Sequence, residues 1–249
     1  MDVAAVAVLL LAGFVSGAVN AVAGGGTFIA FGALTFLGVP PISANATSSI
    51  AQFPGYVTSS LAYLRDLSAI RRSLVPFAIV SALGGLAGAF ILLSLDNPQF
   101  RALVPWLLIG ATALFAAGPT ITRWLKARSF QAPPPIAWAV QFVVAIYGGF
   151  FGAGQGIMML ASLGLTEGDD YHRLNAIKNV LSVVIAGLAV LVFAGGGVVS
   201  WSHGLVMTLA VAAGGWGGVA AARRVPQPVV RGFVIAVGLV LTAYYALTG

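Results

Sequence analysis

The chain has 249 residues, 59% of them hydrophobic and only 7% charged, and it contains no cysteine. A soluble domain carries about a quarter charged residues, so this composition excludes a water-soluble globule, and the missing thiols exclude disulfides, thiolate metal sites and a cysteine nucleophile. The net charge of +6 comes from Arg and Lys in short loops between apolar runs, as the positive-inside rule produces, and no basic patch with interleaved aromatics points to nucleic acid.

Apolar runs long enough to cross a hydrocarbon core of about 30 Å recur along the chain. The first half predicts spans at 2–22, a short 27–38, 42–64, 72–94 and 99–118. A basic, proline-rich linker follows at 120–135, and the second half predicts 136–152, a short 157–165, 172–193, 199–221 and 229–247. The first run lacks the positive n-region of a signal peptide, with Asp2 its one early charge, so it is expected to be retained as a span. No alternating segments of about ten residues suggest a barrel. The fold class is therefore an all-α polytopic membrane protein.

Sliding the chain by 130 residues superposes Ala23-Gly24-Gly25-Gly26 on Ala153-Gly154-Gln155-Gly156 and Asn45-Ala46 on Asn175-Ala176. In the same register Gly84-Gly85 meets Gly214-Gly215, Pro98 meets Pro228 and Arg101 meets Arg231. Shared Gly, Asn, Pro and Arg positions without a gap indicate a duplication. Residues 1–119 form the first repeat and 136–249 the second, within one membrane domain.

Charge placement weighs two topologies. If the short segments are re-entrant, each half crosses four times and the halves run parallel. Arg65, Arg71, Arg72, Arg123, Lys126 and Arg128 then face Arg101, Arg173, Arg223, Arg224 and Arg231 across the membrane, with no bias. If they cross, each half has five segments and the second is inverted. Every one of these cations except Arg101 then falls on the cytoplasmic side. The positive-inside rule favours the inverted five-plus-five arrangement, with the N-terminus outside. Its cost is length, because twelve helical residues rise only about 18 Å.

Inverted repeats with broken helices are the mark of secondary transporters, whose sites lie near the midplane where half-helix N-termini face anionic groups. Consecutive glycines inside an apolar span each cost about 1 kcal/mol relative to alanine. At Gly24, Gly25 and Gly26 before Thr27, and at Gly154, Gln155 and Gly156, they would end one helix and begin another. The freed N–H groups suit an oxyanion; the competing reading is close helix packing, which fits Gly84, Gly85, Gly88, Gly214, Gly215, Gly217 and Gly218. Asn45, Thr47, Ser48, Ser49 and Gln52 make an unusually polar span, as binding residues or as interhelical hydrogen bonders. Pro54 should kink it. Asn175 and Asn179 accompany Lys178, the one charge more than three residues inside a predicted span, read either as counter-charge to an anion or as a snorkelling side chain.

Glu167, Asp169, Asp170 and His172 read as a solvated turn, and His203 beside Trp201 as an interfacial position. The run "GAGQG" lacks the strand and the Gly-Lys-Ser/Thr ending of a nucleotide loop. No nucleophile–base pair suggests an enzyme, and no metal or cofactor is expected. Apart from Asp2 at the very start of 2–22, no Asp or Glu falls inside a predicted span; proton coupling would then go through a histidine or the substrate's own protonation, and the alternative is a uniporter whose export of a monoanion runs on the membrane potential, about 2.3 kcal/mol per charge per 100 mV.

The stretch "AVAGGGTFIAFGALTFLGVPPISANATSSIAQFPG" (21–55) with "YGGFFGAGQGIMML" (147–160) and "LNAIKN" (174–179) resembles the sulfite exporter TauE/SafE family of bacterial inner-membrane permeases. The likeness covers essentially the whole chain. It implies transport of sulfite or an organosulfonate, with the family motif falling on Gly24, Gly25, Gly26, Pro40, Asn45, Ala46 and Thr47, and on Gly149, Gly152, Gly154, Gly156 and Ala176. Gly32 departs from the proline that many members carry, which bears on the geometry of the first short helix. The expected partners are the small sulfur-containing anion and membrane lipids, with a homodimer left open; an anion channel and a carrier of another organic anion are the alternatives.

Overall fold

The computed structural model describes residues 1–23, 25–62, 71–127, 133–164, 171–222 and 227–248. Among these residues every regular element is a helix: α1 (Val3–Ala23), α2 (Thr27–Phe36), α3 (Pro41–Ala62), α4 (Arg71–Leu93), α5 (Asn97–Ala127), α6 (Pro134–Phe150), α7 (Gln155–Leu163), α8 (Tyr171–Gly195), α9 (Trp201–Ala222) and α10 (Gln227–Thr248). Five of them contain stretches both long and apolar enough to cross a membrane: Val3–Asn20, Leu74–Leu93, Asn97–Gly118, Arg173–Gly195 and Val229–Thr248.

The predicted spans match these helices closely, with one correction. The fifth span was expected to end at 118, at Gly118-Pro119, but α5 runs on to Ala127 and takes in the start of the expected linker. A proline inside a helix removes a single backbone bond, and the helix formers at 124–127 carry the helix past it. Likewise α3 is continuous through Pro54, where the Thr58 hydroxyl bonds to the Pro54 and Gly55 carbonyls at 3.0 and 3.1 Å.

The helices pair symmetrically across the two halves of the chain. The first helix of each half packs on the fourth of the other, α1 on α9 and α6 on α4. The third helix of each half packs on the fourth of the other, and the two third helices, α3 and α8, also meet. The two fifth helices, α5 and α10, pack together. Exchanging the halves leaves this scheme unchanged. The central position of α8 shows in its burial: 56% of its apolar stretch is buried, against 17% for that of α10. Outward faces carry Trp106, Leu209 and Trp216, each at least 73% exposed, a surface suited to lipid and not to water.

Residue contacts give the helix directions. Gly13 faces Met207 and Ala210 while Gly17 faces Val211 and Gly215, so α1 and α9 run parallel. Thr47 meets Ser200 and Gly204 while Gly55 meets Val211, so α3 is parallel to α9 as well. α1 and α3 therefore point the same way, and α2 carries the chain back between them. α5 and α10 are antiparallel: Arg101 Nη2 donates to the Thr248 carbonyl at 2.7 Å, and Arg231 donates to that of Ala116.

Glycine lets these pairs approach. A Cβ on Gly84 would lie 2.6 Å from the Phe142 carbonyl oxygen, one on Gly88 would run into that of Ile146, and one on Gly214 into that of Phe14. These contacts are with backbone, which cannot step aside as a side chain can, so the packing reading holds for these positions. Gly217 touches only the Phe14 ring, at 3.8 Å. Gly88→Leu should therefore lower the thermal midpoint of the detergent-purified protein sharply, since overpacking alone costs about 1–3 kcal/mol. Gly110, with nothing within 4 Å of a built Cβ, should gain about 0.4–1 kcal/mol as Gly110→Ala.

Candidate functional site

The two helix breaks are built differently. In the first, between α1 and α2, the Gly26 carbonyl accepts the Ser16 hydroxyl at 2.6 Å. Gln52 Nε2 donates to that same hydroxyl oxygen, and Asn20 Nδ2 donates to Gln52 Oε1 at 3.3 Å. The chain Asn20–Gln52–Ser16–Gly26 ties α1, α3 and the break together, and its members polarise one another in a dry interior. A side chain on Gly26 would collide with the Ser16 carbonyl. Gly26 is thus a packing glycine at a helix break. Gly24 lies outside the described residues.

The second break, between α6 and α7, is a true reversal of backbone. Gly152 and Gly154 adopt φ of 73° and 81°, a region only glycine enters without strain. The Phe151 and Gly152 N–H groups both donate to the Tyr147 carbonyl, at 2.8 and 3.1 Å, and the Tyr147 hydroxyl donates back to the Ala153 carbonyl at 2.7 Å. Asn45 Nδ2 reaches across from α3 to the Phe150 carbonyl at 2.8 Å. Phe151 sits edge-on to Phe31 at 5.6 Å. The first residue of α7, Gln155, folds its amide over Gly148, where any Cβ would displace it.

No backbone hydrogen bond from the N–H groups of Gly25, Gly26, Ala153, Gly154 or Gly156 is made among the described residues. Unsatisfied donors of this kind are tolerated at membrane depth only beside a cavity or a ligand. The breaks do converge on one small cavity. Thr27 from the first break and Gly152 and Gln155 from the second line it, with Ser49, Gln52 and Tyr56 of α3 and Ala186 and Ala189 of α8. The space between them is about 10 Å³, room for a single water. As it stands the cavity has no room for anything larger than water.

The remaining expected site residues lie around this centre without lining it. Thr47 accepts the Ser200 N–H at 2.9 Å and so holds the start of α9, and Ser48 bonds back to the Asn45 carbonyl at 2.8 Å. Asn175, Lys178 and Asn179 share a buried face of α8 on the cytosol-proximal side of Ala186 in the expected topology. The sequence reading did not anticipate Ser16, Asn20, Gly148 or Tyr56 at the site. The signal for the first two was present: polar residues four apart in an otherwise apolar α1 share one helix face. The expected acidic turn at Glu167, Asp169 and Asp170 lies outside the described residues. His203 is half-buried, bonded through Nδ1 to the Ser200 hydroxyl at 2.7 Å, and lines a separate open pocket of about 370 Å³ with Pro40, Ser43 and Ser200.

A helical bundle of membrane-spanning length, duplicated and interrupted once in each half beside a central cavity, defines a multi-pass membrane protein of the transporter class. The chain belongs to the sulfite exporter TauE/SafE family, whose model matches residues 9–245. It is 27% identical over 237 residues to a probable membrane transporter protein of Haemophilus influenzae, covering 95% of this chain and 92% of the relative. It is 27% identical over 203 residues to the probable membrane transporter protein ORF9 of a Sinorhizobium species, covering 82% and 77%. With the probable membrane transporter protein YfcA of Escherichia coli K12 the identity is 25% over 249 aligned positions, covering 95% and 87%. No solved structure matches the chain.

The chain Asn20–Gln52–Ser16–Gly26 generates a stability prediction. Ser16→Ala leaves the Gln52 amide without its acceptor in a buried site and should cost about 1–3 kcal/mol, read as a lower thermal midpoint. Ser59→Ala, on the half-buried far end of α3, should leave it unchanged.

Proposed function

We propose that the protein is a secondary carrier of a small oxyanion, sulfite or an organosulfonate, across the bacterial cytoplasmic membrane, and that it works as an exporter. The observation carrying this reading is the meeting of two interrupted helices, one from each half, at a cavity lined by Thr27, Gly152 and Gln155. Amides released by the breaks and the positive ends of α2 and α7 are matched to a negative guest. The Gln155 side-chain oxygen has no hydrogen-bond partner among the described residues, so no bond to it stops the amide turning to present its N–H donors to the substrate, and Lys178 supplies a counter-charge. The cavity's closure supports a carrier that alternates between states over an open pore. Among the described residues the acidic ones, Asp2 and Asp96, are both exposed and take no part in the mechanism.

The membrane arrangement that goes with this function is the inverted one, with residues 1–119 and 136–249 as oppositely oriented repeats joined through 120–135. Its support is geometric. In a parallel duplication α5 and α10 would point the same way, whereas their contacts run antiparallel. The turns at 37–40 and 198–200 share one pocket, which the inverted arrangement places outside together and the parallel one on opposite faces. The chain has no native cysteine, so single cysteines at Asp96 and Gly197 can be labelled without background. Both should react with an impermeant maleimide from the periplasmic side, and labelling from opposite faces would overturn the arrangement.

Transport is tested with purified protein in liposomes. Sulfite or methanesulfonate uptake should saturate and show counterflow, and Gln155→Met should slow it about tenfold, roughly 1.4 kcal/mol, with no loss of thermal stability. Uptake that rises linearly with concentration and shows no counterflow would favour a channel.

A further inference from the structure

Among the described residues, the hydrogen bonds that tie α3 to the rest of the protein all fall before Pro54. The Ile42 N–H donates to Asn97 Oδ1 at 3.1 Å, Asn45 donates to the Phe150 carbonyl, Thr47 accepts from Ser200, and Gln52 meets Ser16 and Asn20. Beyond Pro54 the side-chain bonds turn back onto α3 itself. Thr58 donates to the Pro54 and Gly55 carbonyls, and Ser60 to that of Tyr56 at 2.8 Å. One continuous helix is thus pinned along its first part and held by packing alone along 55–61.

The junction between the two parts favours bending. Pro54 has no N–H, so the Ile50 carbonyl loses the donor a regular helix would supply, and prolines are where helices kink. A hydroxyl bonded back onto its own helix, as that of Thr58 is, bends it further. Gly55 does not serve close packing: a Cβ there would meet only Val211 Cγ1, at 3.5 Å, whereas one on Gly17 or Gly26 would run into backbone. What Gly55 contributes is backbone freedom. Tyr56, the first side chain past the junction, is buried and lines the central cavity. It stands one turn beyond Gln52 on the same face of α3, and α3 runs inward in the arrangement proposed above, so Tyr56 walls the cavity toward the cytosol.

We infer that residues 55–61 are a lid: bending at Pro54-Gly55 withdraws Tyr56 and opens the cavity to the cytosol, while the pinned part of α3 keeps Ser49 and Gln52 in place. The inference rests on the transport reading above and adds the moving part and the side on which the anion loads. A cavity with room for one water must gain space before it takes an oxyanion, and this segment can yield without breaking a hydrogen bond to another helix. Hinges of this kind, a few residues that absorb the backbone change, are how carriers and enzymes admit their ligands.

The test uses the full-length protein in inside-out and right-side-out membrane vesicles. Ala186→Cys places a reporter in the cavity wall on α8, and the probe is a methanethiosulfonate reagent that carries a sulfonate. The reporter should react from the cytosolic side, and faster when Tyr56→Ala is added. Gly55→Ala should slow the reaction about fivefold, the factor implied by alanine's preference for a straight helix. Pro54→Ala should slow it at least as much, because it restores the missing N–H. Both variants should keep or raise the thermal midpoint, which separates a stiffened hinge from a damaged fold. Wild-type reaction rates in both, or a reporter that reacts only from outside, would overturn the lid. The labelling needs no transport, so vesicles that move neither sulfite nor methanesulfonate while the reporter responds as expected would overturn the transport reading instead.

Discussion

Water is absent from the interior of a bilayer, and every N–H and C=O placed there must find a partner within the protein or at a site the protein keeps for a guest. Unbroken helices meet that demand by themselves. The two interrupted ones cannot, and much of the polar chemistry of the central region exists because of them. Ser16, Asn20 and Gln52 bind down the first break, and Tyr147 and Asn45 bind down the second. Between the ends of the short helices, Thr27 and Gln155 face a cavity the size of one water, and the Gln155 side-chain oxygen there has no partner among the described residues.

The same constraint explains why glycine serves two purposes. Along α1/α9 and α4/α6 it removes bulk so that backbones touch, as at Gly88 and Gly214. At Gly152 and Gly154 it permits a backbone conformation with positive φ that turns the chain. The first break needs no such conformation and uses Gly26 for closeness to α1 instead. The two glycine motifs, aligned at an offset of 130 residues, therefore serve unequal physical purposes.

Helix positions were legible in the sequence because a span and a break leave opposite signatures: long uncharged runs, and clusters of glycine inside them. Element ends followed within a few residues, except at α5, where the apolar run ends at 118 but the helix continues to Ala127. The breaks themselves were equally legible. Partnerships between helices were not. That Gln52 would be held by Ser16, or that Thr47 would serve Ser200 in place of a ligand, depends on which faces meet, and residues 36 and 153 positions apart leave no local pattern.

Arg101 and Arg231, equivalent in the two halves, clasp α5 and α10 from opposite ends, one at the Thr248 carbonyl and the other at that of Ala116. A pair of rods riveted near both tips behaves as a strut: it resists splaying and sliding alike. The strut stands at the side of the bundle, away from the cavity between α3 and α8, so what fixes the outer pair of helices leaves the lining of the cavity untouched.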